Sequence, residues 1–335
     1  MKLKPFAVTG LAAAAALTLA ACSATTATEP SADAGGQKVT TLRVQVQNAI
    51  SAESLYLGIK QGYFADEHLK IDFVDIPDTA AAFAALQSGS LDLAFSPIIG
   101  ALQAVRNDLP LTIVSAADGI NPAAATAAPE DVRNYTSAGV YVSKASGITD
   151  MSGLAGASIS VPILKSSPDA TITSVLDEHG YATKNIKWLN LDFVSALASL
   201  KDNQIDAAFL VSPFTLEADK AGLTRVMNPS PDFFTSGAVS SWVASDSFVK
   251  ANKDSITAFQ RAMVRSAKFA NANIELAKES VIKRTGLKLT PADLPNSYWP
   301  ETIKTEDVQR MNDKLVKIGF FDSKLDVAQY IAPQK

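Results

Sequence analysis

The stretch LQSGSLDLAFSP at residues 86–97 returns later in the chain as LKDNQIDAAFLVSP at residues 200–213. Leu86, Gly89, Leu91, Asp92, Ala94 and Phe95 match Leu200, Asn203, Ile205, Asp206, Ala208 and Phe209, and each copy runs into a Ser-Pro pair, Ser96-Pro97 and Ser212-Pro213. Gly89 and Asn203 hold the same slot, and these two residue types best tolerate the left-handed backbone that closes a helix. Each copy therefore reads as a helix, a tight turn and a short apolar strand. A chain that writes this unit twice is expected to fold as two lobes of related construction.

Around the first copy, strand and helix alternate. Residues 41–46 place Leu42, Val44 and Val46 on one side and Arg43 and Gln45 on the other, a strand pattern. Residues 51–61 group Leu55, Tyr56, Leu57 and Ile59 ahead of Gly62, a helix with a glycine stop. Residues 70–76 read as a strand, 79–88 as an Ala-rich helix and 91–95 as a third strand, the mark of an α/β sheet with helices on its faces. Two more strand-like runs stand at 139–143 and 238–244. Crossing at the first and returning at the second makes 38–143 with 238–335 one lobe and 144–237 the other. The tail from 247 reads as mostly helical, and Ile256, Phe259, Met263 and Ala267 recur at helical spacing, so it is expected to pack back on the first lobe.

The amino end carries Lys2 and Lys4, an apolar run at 11–20 broken by Thr18, and then Leu19, Ala20, Ala21 and Cys22. This reads as a secretory signal over 1–21, shorter than the roughly 20 apolar residues of a spanning helix. The tetrapeptide ending at Cys22 resembles the lipobox of bacterial lipoproteins, which implies lipidation of Cys22 and anchoring to the cell membrane on its outer side. Cys22 is the single Cys, so no internal disulfide forms. Residues 22–37 hold no large apolar side chain and read as a flexible tether. The net charge is -4, and losing Lys2 and Lys4 makes the chain more acidic, which leaves no basic footprint for nucleic acid.

LYLGIKQGYF at 55–64 is similar to the first helix of the nitrate/sulfonate/taurine family of ABC-importer binding proteins, a family that also contains binders of thiamine-pyrimidine precursors. The likeness continues through LQSGSLDLAF, VSKASGITDMSGLAGASISVP at 142–162, LKDNQIDAAF and AGLTRVM at 221–227. The resemblance implies a type II periplasmic-binding-protein-like fold, α/β and two-lobed, with two crossover strands and the ligand in the interlobe cleft. It also implies a small-molecule ligand, closure by hinge motion, and a permease with its ATPase as partners. A monomer without cofactor or metal is expected.

Ligands of open α/β sheets bind beyond the carboxyl ends of the strands. That rule selects Gln47, Asn48, Ala49 and Ser51 after the first strand, Ser96 and Pro97, Asp118 and Gly119, and Ser212 with Phe214. It also selects Lys165, Ser166 and Ser167, with Ser167 as helix cap and Pro168 as first helical residue. Ser236, Ser240 and Trp242 stand near the return crossing. A helix start with hydroxyls and a lysine suits an anion, so a sulfonate- or carboxylate-like ligand is expected, with a pyrimidine or other aromatic nutrient as the alternative. Members of the family often carry Trp-Asp-Pro-Tyr where this chain has Val211, Ser212, Pro213 and Phe214, and often Gly at the position of Lys165. The missing acid at Ser212 argues against a cationic amine.

A pyrimidine-synthase-like enzyme is a competing reading, because such an enzyme resembles the same family. Its Cys/His-rich site has little material here, with His68 and His179 the only histidines and Cys22 committed to lipid. A ligand-sensing receptor subunit is the other competitor. No catalytic residue is expected.

Overall fold

The computed structural model describes residues 38–335 apart from Asn48, Pro77 and Leu287; the expected signal, lipidation site and tether lie outside the described residues. The chain begins with β1 (Thr40–Gln45), α1 (Glu53–Lys60), α2 (Tyr63–Asp66), β2 (Leu69–Phe73), α3 (Thr79–Ser88), β3 (Leu93–Pro97), α4 (Ile98–Arg106) and β4 (Leu111–Ala116). It continues with β5 (Ala138–Val142), β6 (Ser158–Val161), α5 (Ser167–Glu178), β7 (Lys187–Asn190), α6 (Phe193–Lys201), β8 (Ala207–Val211), α7 (Phe214–Lys220), β9 (Thr224–Met227) and α8 (Pro229–Phe234). It ends with β10 (Ser240–Ser245), α9 (Asp246–Ala251), α10 (Lys253–Ala272), α11 (Ile274–Thr285) and α12 (Thr305–Lys317).

These strands make two five-stranded sheets, ordered β2-β1-β3-β10-β4 and β7-β6-β8-β5-β9. The sheets match position by position, with β3 and β8, the two copies of the sequence echo, at the centre of each. In the first sheet β10 runs antiparallel to β3 and β4, and in the second β5 runs antiparallel to β8 and β9. The two antiparallel strands are the two crossings, so each sheet receives one strand by way of the other.

The echo has a physical cause. Gly89 (φ 72°) and Asn203 (φ 54°) both take the left-handed backbone after their helices. The next shared residue is the acid. Asp92 accepts the backbone N–H of Arg43 at 2.7 Å, and Asp206 accepts that of Ser158 at 2.8 Å. Each carboxylate thus ties the central strand of its sheet to a parallel neighbour, β3 to β1 and β8 to β6.

On one face of the first sheet, Leu42, Val44, Leu93, Phe95 and Trp242 meet Ile256, Phe259 and Met263 of α10. Ala267 joins Leu57 and Trp299 in an adjoining cluster. The helical stripe seen in the sequence is thereby buried against α1 and the sheet. The tail's last helix goes elsewhere: α12 packs on α4 and also on α5 and α8, which follow strands of the second sheet. Val308, Met311 and Leu315 form its buried side. Its polar contacts also reach both ways, from Asn312 to Arg106 (2.6 Å) and from Lys314 to Glu178 (3.0 Å). A tail confined to the first lobe would keep the contact with α4 and lose those with α5 and α8. No helix among the described residues is long and apolar enough to cross a membrane.

Candidate functional site

The carboxyl end of β4 and the short turn before α1 (residues 50–52) meet the amino ends of the two crossing strands and the start of α8 around a small cavity of about 90 Å³. The first sheet contributes Ser51, Asp118 and Gly119, and the second Ser137 and Ser230. The wall at the start of α1 is held from behind. The Trp299 indole donates to the Ser51 carbonyl at 3.0 Å, and Arg284 pairs with the buried Glu53 at 2.7 Å, which fixes the start of α1.

Asp118 lies in a backbone clamp. Its carbonyl accepts from Val239 (2.8 Å) and Ser240 (3.2 Å), Gly119 donates to Tyr298 (2.9 Å) and Ile120 to Gly237 (3.0 Å). A Cβ on Gly119 would fall 2.3 Å from the Gly237 carbonyl oxygen, so the close approach of the return crossing requires glycine there. The clamp leaves Asp118 Oδ1 buried without a hydrogen-bond partner. Burial pushes its pKa up, and the hydroxyls of Ser240 and Ser51 with its own backbone N–H only partly oppose this.

Other buried polar atoms lack partners at the same end of their strands. They are Gln45 Oε1 on β1, Ser160 Oγ on β6, Ser212 Oγ after β8 and Asn228 Oδ1 after β9. Buried polar groups are rarely left unpaired, and an exception calls for an explanation. Their common position at carboxyl ends on both sheets is where the open-sheet rule puts a ligand.

The start of α5 differs from its sequence reading. Ser166, not Ser167, occupies the cap position, and Ser167 is the first helical residue. Asp169 draws the start back by one: its carboxylate accepts from Lys165 N and Ser166 N, both at 2.7 Å. The N–H groups of Lys165 and Ser166, which lead into the helix, are therefore already taken by a carboxylate of the chain. Burial raises the pKa of Asp169, opposed by those same N–H groups. Lys165 is exposed, in a left-handed backbone (φ 55°) that glycine adopts most readily. Its carbonyl accepts from Gln103 of α4 at 3.2 Å, a contact between the two sheets' helical layers.

Two further candidates are buried by packing. Trp242 is fully buried in the core, its ring 5.7 Å from Phe95 and 6.1 Å from Phe259. Ser96 is also fully buried, and its hydroxyl donates to the Pro97 carbonyl at 2.9 Å. Because β3 is central and covered on both faces, its last serine turns inward. Ser212 remains near the crossing, its N–H donating to Ser137 at 2.8 Å.

The remaining candidates scatter. Pro97 is half-buried at the cap of α4, Phe214 opens α7 against Phe193 (5.6 Å), Gln47 is exposed and Ala49 half-buried. Ser236 bonds Asp307 at 3.2 Å beside a second cavity of about 380 Å³. Asn48 lies outside the described residues. Ser137, Ser230 and Ser297, which line the small cavity, were not selected from sequence. The signal for two of them was available. Ser230 follows β9, and the amino end of an antiparallel crossing strand, where Ser137 stands, lies beside the carboxyl ends of its neighbours.

A family model described as NMT1/THI5 like matches residues 51–277. No curated protein matches the chain in sequence. Among similar solved structures, the periplasmic aliphatic sulphonate binding protein SsuA from Escherichia coli has a TM-score of 0.68 at 17% identity, over 88% of this chain and 92% of that one. The periplasmic nitrate-binding protein NrtA from Synechocystis PCC 6803 has a TM-score of 0.63 at 14% identity, over 88% and 86%. The desulfurization enzyme DSZB has a TM-score of 0.59 at 14% identity, over 88% and 96%. At such identities the likeness is one of fold: two α/β sheets with two crossings make the periplasmic-binding-protein fold, which also carries an enzyme. With more than half its length matched, the chain belongs to the NMT1/THI5 like family.

Proposed function

We propose that the chain is the extracytoplasmic solute-binding component of an ABC importer, a monomer held to the membrane by lipid on Cys22. It captures a small molecule between its two sheets by hinge closure and delivers it to a permease driven by an ATPase. The observation that carries this reading is the unpartnered buried carboxyl oxygen of Asp118 in a cavity walled by both sheets, with further unpartnered polar atoms toward the carboxyl ends of strands in each sheet. Contacts to ligand from both walls favour the closed arrangement over the open one. The cavity is smaller than the ~150 Å³ that holds benzene, so a larger solute requires the walls to part.

Binding without conversion is supported by the chemistry of the walls. Neither histidine lines the cavity: His68 follows α2, and His179 closes α5, its ring stacked on Tyr181 at 6.2 Å. The anionic ligand expected from sequence rested on the start of α5 and on Lys165, and Asp169 now fills the first. The reading is tested by identifying the small molecule released when the natively purified chain is denatured, then reloading the chain with it. The loaded chain is expected to stimulate its importer's ATPase and to return the compound unchanged. Release of a chemically altered compound would favour the enzyme.

A further inference from the structure

Taking the cavity between the sheets as the ligand site proposed above, we infer that Asp118 anchors a nitrogen-borne hydrogen-bond donor of the ligand, an amine or amidine, and that the site selects against sulfonates. Among the described residues Asp118 is the one carboxyl lining the cavity, and no Lys, Arg or His lines it. The other polar walls are hydroxyls, such as Ser51, Ser137, Ser230 and Ser297, which donate or accept as the ligand requires. Oδ1 is buried and unpaired, and no cation is among the groups acting on the carboxyl. A ligand N–H supplies what this oxygen lacks, as a short charge-assisted bond in a site shielded from water. A sulfonate in the same space would set like charges together with no compensating cation, which is costly at low dielectric.

The two alternatives for an anion lie elsewhere. The α5 start is filled by Asp169. Arg133 and Arg225 line a separate groove of about 560 Å³ beside β9, together with Glu130 and Asp232. The acid whose absence at Ser212 argued against an amine is thus provided from the opposite sheet.

The test uses four probes small enough for the cavity: acetamidinium and ethanolamine as donors, glycolate and ethanesulfonate as anions. Each is titrated calorimetrically into the full chain and into Asp118→Asn, a near-isosteric change whose folding is checked by its melting curve. At least one donor is expected to bind the wild type and to lose about tenfold or more in the variant, the range of a hydrogen bond to a charged group. Both anions are expected to bind more loosely than that donor. The companion variant Ser230→Ala, on the opposite wall, should weaken the donor a few-fold and keep the preference. Equal donor affinity in wild type and Asp118→Asn overturns the assignment, as does anion binding without donor binding; tight anion binding in both proteins would point to the groove at Arg225. Failure of all four probes also overturns it. In each case the importer reading stands or falls separately, on the compound released from the native chain.

Discussion

Asp92 and Asp206 occupy one position in two sheets, each carboxylate accepting the backbone N–H of the residue facing it on the neighbouring strand. Asp206 also accepts from the Ser158 hydroxyl at 2.7 Å, and Asp92 from the Arg43 guanidinium at 2.6 Å. Replacing either by Ala leaves a strand N–H without its acceptor. A loss of about 1–3 kcal/mol is expected for each variant in chemical denaturation. Loss from one variant only would mean that the two sheets are not built alike.

Gly119→Ala tests the clamp around the site. The added methyl meets the Gly237 carbonyl, which belongs to the return crossing and cannot swing aside as a flexible side chain would. Destabilisation of about 1–3 kcal/mol is expected, with weaker ligand capture. An unchanged melting temperature would show that the crossing is looser than described.

Asp118→Asn should stabilise the unliganded chain at neutral pH. Burial raises the folded-state pKa above the unfolded value. The charged form therefore costs stability above the folded pKa, and the cost fades as pH falls through that value toward the ordinary Asp range of ~3.9. Denaturation midpoints of the two proteins are expected to differ at pH 7.5 and to converge near pH 3.5. A variant less stable than wild type at pH 7.5 would mean that the hydroxyls of Ser51 and Ser240 outweigh the cost of burying the charge.

Cys22→Ala should abolish partition of the mature chain into detergent. Wild-type protein recovered from the aqueous phase without lipid would remove the anchor.

The fold was legible because its repeated unit is set by local chemistry. A left-handed turn residue, an acid one strand-width from a backbone N–H and an apolar run leave marks in one dimension. The site was only half legible. Asp118 could be picked by the strand-end rule, but its isolation depends on Gly119 meeting residues 238 and 298, which no local pattern records. The α5 start misled because Asp169 serves equally as an ordinary first-turn acid and as the occupant of the anion position. Trp242 stands near the return crossing in sequence, and only the three-dimensional packing shows its ring turned into the core.

The central claim is that the space between the sheets holds a small molecule, bound and not converted. Native mass spectrometry of the full chain after exposure to a cell extract tests it directly, beside Ser230→Phe, whose ring would fill a cavity of about 90 Å³. One small-molecule adduct is predicted on the wild type, released intact on denaturation and missing from the variant, with both proteins folded. An adduct kept by the folded variant, or none on the wild type, would contradict the account.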